Sequence, residues 1–261
     1  MVPFIIKASS ISLFPVGAAP LTIDATHPNF AAVRQAIIEG DFDAAVELAD
    51  VPAFIAKASA GRVQVVDDQV LYNGDALNNY LTRRMVEFLQ EGLPVDHYCK
   101  FLDNLMDNPS MVSRNELYEF LEAANLPITE DGCFLAYKAV RSDYMDVHSG
   151  KFSNAVGQAL EMERRDVDDD RQRTCSYGFH AAAYQYAKNF LPGDGRLMAV
   201  KINPRDVVSV PADYQNQKLR TCRYVVVSEV EGAADVLTGR QYVSDVLCGN
   251  DDFDWLDDDT F

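Results

Sequence analysis

The chain has no apolar stretch long enough to cross a membrane as a helix: its longest runs, such as Tyr224 to Val227, are far below the roughly 18 residues required. A secretory leader is not expected, because Ser9, Ser10 and Ser12 interrupt any signal-type core in the patchily apolar N-terminus. Five cysteines, Cys99, Cys133, Cys175, Cys222 and Cys248, are odd in number and never form C-x-x-C. That spacing argues against a disulfide framework or a zinc site and fits reduced thiols in a cytoplasm. Basic residues are scarce, 23 against 40 acidic, for a net charge of −17. An acidic surface of this kind repels phosphate backbones, so direct nucleic-acid binding by the body is not expected.

What is present is core material: 48% of the 261 residues are hydrophobic. Alternation in Ser10 to Phe14 and in Leu21 to Ile23 predicts a small hairpin, and Arg62 to Val66 with Val70 to Tyr72 a second. Helical spacing marks Phe30 to Ile38, Phe42 to Leu48, Pro52 to Ala58, Leu77 to Leu89 and residues 95–107. Ser113 followed by Glu116 reads as a capping box for a helix from Glu116 to Ala124, with Leu117, Phe120 and Leu121 inward. Beyond Asp131-Gly132 the pattern turns β-rich, in Cys133 to Val140, Arg196 to Ile202, Val207 to Val210 and Cys222 to Val230, with a helix over Ala181 to Phe190. The fold class is therefore α+β: a mainly helical region over 1–130 with small hairpins, a β-rich region over 131–248 with one or two helices, and a tail over 249–261.

Polar clusters are few. Asp143, Asp146 and His148 could converge on a cation if Arg141 to Gly150 is a loop, although the same residue types serve as ordinary turn hydrogen-bonders. Asp166 to Asp170 lacks the Gly and Glu of a calcium loop and suits pairing with Arg164, Arg165, Arg171 and Arg173. Cys175-Ser-Tyr-Gly-Phe-His180 is the leading site segment. A histidine just before a helix at Ala181 could hold an anion there, or could simply brace the turn. Lys218, Arg220 and Arg223 could share a strand face and bind a phosphate or carboxylate, or pair with nearby acids. An enzyme reading, loosely similar to ADP-ribosyltransferase-like proteins with split strands around a cleft, would use Arg141, His180, Tyr184 and Glu229 for nucleotide contact and acid chemistry. No cofactor is expected otherwise.

The tail is more specific. Residues 241–261 hold seven acidic and no basic groups. Self-repulsion extends such a segment, while Phe253, Trp255, Leu256 and Phe261, set among Asp254, Asp257, Asp258 and Asp259, offer a binder apolar side chains to hold. A free carboxylate on Phe261 would suit a pocket with one basic residue and an apolar floor.

Several segments together resemble the rIIB-like rapid-lysis proteins of tailed bacteriophages. They are Asn104 to Ser110, Glu116 to Leu121, Leu126 to Lys138, Asp146 to Gly150, Cys175 to His180 and Asn203 to Pro211, in order over about residues 20–230. The resemblance implies an early, non-virion accessory protein without established catalytic residues. It would act with an rIIA-like partner in lysis timing and in protection against prophage exclusion. It would work in the host cytoplasm, with peripheral attachment at the inner membrane through a partner. Separately, Asp251 to Phe261 resembles the acidic tip of bacterial single-stranded DNA-binding proteins, which implies docking to a replication or repair protein. Trp255-Leu256 is an addition to that tip, and Thr260 stands where its proline would be.

Overall fold

The computed structural model describes residues 2–25, 27, 29–50, 61–66, 69–72, 75–76, 80–81, 84–85, 88, 96–232, 235–236, 238–239 and 243. The run Pro52 to Ala58, the helix positions Leu77 and Leu89, Cys248 and the tail 249–261 lie outside them. The chain is α+β and divides into two compact units, Met1–Cys99 and Lys100–Phe261.

In the first unit β1 (Phe4–Ile6), β2 (Ser10–Leu13) and β3 (Leu21–Asp24) form an antiparallel sheet in that order. Its inward residues Ile11, Leu13 and Ile23 alternate with solvent-facing ones, as a one-sided sheet requires. They pack with Val33, Ala36 and Ile37 of α1 (Phe30–Glu39) and Ala45 and Ala49 of α2 (Phe42–Ala49). Asp41 caps α2 by accepting the Ala44 N–H at 3.0 Å. The second predicted hairpin is β4 (Val63–Val66) with β5 (Gln69–Tyr72), extended by β6 (Asp75–Ala76). Tyr80, Leu81, Met85 and Phe88 are helical and buried at the predicted spacing. A further helix, α3, spans Asp96–Met106.

The second unit is built on seven strands: β7 (Phe134–Val140), β8 (Ala159–Glu161), β9 (Phe179–Ala182), β10 (Arg196–Ile202), β11 (Val207–Ser209), β12 (Lys218–Thr221) and β13 (Arg223–Glu229). They form one antiparallel sheet in the order β11-β12-β9-β7-β10-β13-β8. Strands β7 and β10 pair over seven positions, from Arg196 opposite Val140 to Ile202 opposite Phe134. β7 reads as a nearly continuous apolar run because both its faces are covered.

Helix α4 (Met111–Ala124) begins earlier than the sequence suggested. Ser110 is its N-cap, accepting the Ser113 N–H at 3.2 Å, so Ser113 and Glu116 are not a capping box. Both are buried inside the helix instead. The Ser113 hydroxyl donates to the Val208 carbonyl at 2.5 Å, and the Glu116 carboxylate accepts the Val210 N–H at 2.7 Å. These bonds satisfy backbone groups along edge strand β11, which would otherwise be unpaired. Leu117, Phe120 and Leu121 face inward as predicted, and Phe120 meets Phe134 edge-on at 6.2 Å. The neighbouring turn is fastened by Asn108, whose amide donates to the carbonyls of Pro204 and Val207 while its oxygen accepts from the Ser110 N–H and Arg164.

Two further predictions are corrected. The helix expected over Ala181 to Phe190 is shorter: α5 spans Tyr184–Asn189, and Phe179–Ala182 is strand β9, paired with β12 at four positions. Alanine favours helix only weakly against a ladder that satisfies every backbone group. Lys218, Arg220 and Arg223 do not share one strand either. The first two lie on β12, and Arg223 opens β13 beside Glu161.

Near this junction lies Asp206, largely buried and close to Arg205 at 3.7 Å. Burial pushes its carboxyl up to about 6, although Arg205, Arg223 and Arg164 pull it down. A carboxyl that binds its proton more tightly when folded favours the folded state below its folded pKa, and costs stability once ionised above it. Asp206→Asn is therefore expected to stabilise the chain by about 1–2 kcal/mol at pH 8, an advantage that disappears as pH falls from about 6 to 4. Paired thermal melts of wild type and variant across that range check it, and a pH-independent difference would show that ionisation is not the cause.

Candidate functional site

A cavity of the second unit opens where the large sheet comes apart. Strand β9 meets β7 at a single pair, Tyr137 opposite Ala182. Past that rung Lys138 and Ala139 on one strand and Gly178 to Ala181 on the other diverge and line a cavity of about 340 Å³. The ladder bond that β9 loses is made by a side chain: the Lys138 ammonium donates to the His180 carbonyl at 3.0 Å. The same ammonium lies over the Tyr224 ring, 5.5 Å from its centre.

Aromatic rings make much of the wall. Phe152 packs edge-on to Phe179 at 5.2 Å, and Phe179 to Tyr224 at 5.3 Å. Helix α5 contributes Tyr186 and Ala187, with Phe190 immediately after it. Gly178 permits this wall to form. Its φ of +136° is one that residues with a side chain rarely adopt, and a Cβ there would lie 2.7 Å from Val167 Cγ1.

The electrostatics follow from burial. Burial pulls the Lys138 ammonium down to about 8, partly opposed by Asp146. His180 is held down at about 3, first by burial and then by the cations Lys138, Lys218 and Arg220, so it stays neutral. Its Nε2 is buried and has no hydrogen-bond partner among the described residues. Asp146 accepts from the Ser149 N–H and hydroxyl and from the Lys151 and Phe152 N–H groups, at 2.6 to 3.0 Å. Burial opposes its ionisation, but these donors outweigh burial and hold the carboxyl well below the usual range.

Behind the cavity, Arg220 is fully buried and donates to the carbonyls of Asp168, Asp170 and Arg173 and to the Ser209 hydroxyl. The acidic run Asp166 to Asp170 is thus wrapped onto an arginine through its backbone. Its carboxylates Asp168 and Asp170 pair outward with Arg173, at 3.0 and 3.3 Å. Lys218, also buried, donates to the Thr174 carbonyl.

The residues singled out in the sequence separate in space. Asp146, His148, Cys175 and His180 line the cavity, but His180 sits within β9 and not at a helix N-terminus. Asp143 is occupied by the Met145 N–H, and among the described residues no group of three His, Cys, Asp or Glu side chains could hold a metal ion. Arg141, His180, Tyr184 and Glu229 are not gathered: Arg141 is exposed and bonds the Val147 carbonyl. Tyr184 packs on Tyr137. Glu229 is held by Arg196 at 2.7 Å and by the Tyr144 hydroxyl at 3.0 Å. The tail residues Phe253 to Phe261 lie outside the described residues. Lys138 was overlooked, and its signal was a lone cation inside the apolar run Phe134 to Val140.

The family profile described as bacteriophage T4 protein rIIB matches residues 4–242. Protein rIIB of Enterobacteria phage T4 is 37% identical over 205 residues, which cover 78% of this chain and 66% of that protein, just under two thirds of its length. No solved structure matches the chain significantly.

Proposed function

We infer that this chain, which belongs to the bacteriophage T4 rIIB family, is an accessory protein that works by binding other proteins. It acts with an rIIA-like phage partner in lysis timing and in protection against prophage exclusion or host defence. It does so in the host cytoplasm, reaching the inner membrane only peripherally through a partner; no helix among the described residues is long and apolar enough to cross one. The observation that supports binding is the chemistry of the cavity. Its Lys138, Lys218 and Asp146 are each tied to backbone groups, which leaves aromatic walls as the surface that recognises a ligand. The acidic tail supplies a second contact, docking a replication or repair protein through Phe253, Trp255, Leu256 and Phe261.

Affinity purification of the tagged chain from infected cells tests this reading. Enrichment of the rIIA-like protein is expected, and retention of a replication or repair protein that is lost when residues 249–261 are removed. Recovery of neither above a tagged control would overturn it.

A further inference from the structure

We propose that the cavity between β7 and β9 is the docking site for the chain's own acidic segment 249–261, seated in cis through Phe253, Trp255 and Leu256. The inference rests on reading that segment as a binding peptide, and adds where it binds when no partner holds it.

The cavity lacks two things that the segment carries. Its walls are aromatic and apolar and enclose about 340 Å³, space for a large side chain. Its charged groups are mostly cationic: Lys138 and Lys218 line it and Arg220 stands behind, while the one carboxylate at the lining, Asp146, is consumed by four donors from its own loop. Among the described residues Lys138 therefore lacks a hydrogen-bonded counter-ion, in a setting where a desolvated cation favours one. The unpartnered Nε2 of His180 is a further polar atom left open. In Asp251-Asp-Phe-Asp-Trp-Leu-Asp257 aromatic and carboxylate side chains alternate closely, so one peptide can place a ring in the cavity and an acid beside Lys138.

The geometry permits the reach. Val243 is buried against Leu135 of β7 and pairs in parallel with Thr129. Leu135 is two residues before Tyr137, where the cavity starts, a step of about 7 Å along a strand. Ten Cα-to-Cα steps separate Val243 from Phe253 and can span at most about 35 Å. Leu135 and Lys138 lie on opposite faces of β7, so the anchor fixes only the distance, which the intervening chain can cover.

Trp255 is the only tryptophan in the chain, so intrinsic fluorescence of the full-length protein reads this contact directly. Blue-shifted Trp255 emission and several-fold slower acrylamide quenching than in the free 249–261 peptide are expected. Ala187→Phe, which fills the cavity from α5, and Lys138→Gln, which removes the cation, should each return both signals toward the free peptide, with unfolding midpoints confirming that the variants fold. A chain ending at residue 248 supplies the second measurement: it should bind the added peptide, and more weakly when it carries Lys138→Gln. Quenching equal to the free peptide in the wild type would overturn the proposal, as would protection unaffected by both substitutions. Protection lost on dilution would also overturn it, by assigning the contact to another copy. Partner capture by the tail is measured separately, so it can survive the failure of docking in cis.

Discussion

Replacing Arg220 by methionine is expected to destabilise the second unit by about 3–5 kcal/mol, a fall in melting temperature on the order of 10 °C. Methionine matches much of the volume, so packing is not the main loss. The loss lies in the acceptors left behind: the carbonyls of Asp168, Asp170 and Arg173 and the hydroxyl of Ser209 all receive hydrogen bonds from this guanidinium. An unsatisfied buried acceptor costs about 1–3 kcal/mol, and reorientation toward water recovers part of that for the outer carbonyls. Arg220→Lys should fall between wild type and methionine, since an ammonium cannot reach acceptors spread over a planar fork. Thermal melts followed by circular dichroism decide the matter. A methionine variant melting within about 2 °C of wild type would mean that the loop 168–173 is held by other contacts.

Gly178→Ala should follow at about 2–4 kcal/mol, from two separable sources. One is the backbone, because φ at +136° disfavours any residue with a Cβ. The other is overlap with Val167 Cγ1 at 2.7 Å. Adding Val167→Ala to the glycine variant removes the overlap and leaves the backbone cost. The double variant should therefore be less destabilised than the sum of the two single changes, a coupling that a thermodynamic cycle reads directly. Strict additivity would show that Val167 yields without strain.

Much of this architecture was legible because periodicity reports burial. The hairpin at Ser10 to Ile23 and the inward stripe Leu117, Phe120, Leu121 carry a two- or 3.6-residue apolar repeat, while the long strands β7, β10 and β13 stand out as short, nearly continuous apolar runs. Three short strands of the large sheet were not legible. β8, β9 and β12 have three or four residues each, and β9 contains two alanines, so their identity comes from partners distant in sequence. The Ser113 and Glu116 signature misled for a related reason. The pair has the spacing of a cap, but its partners are backbone groups of β11, which no local pattern can announce. In the cavity lining, the segment Cys175 to His180 was singled out from its glycine and histidine, whereas Lys138 and the backbone acceptors of Arg220 required knowing which strands face each other.

The single rung between β7 and β9 has a mechanical consequence. Seven strands share one sheet by topology, but the hydrogen-bonded seam between a four-stranded slab, β7-β10-β13-β8, and a three-stranded leaf, β11-β12-β9, is reduced to one ladder position and one lysine. The far edge of the leaf is clamped by Ser113 and Glu116, so its free travel is rotation about that clamp. The width of the gap is accordingly a hinge angle, and whatever wedges between the two parts sets it.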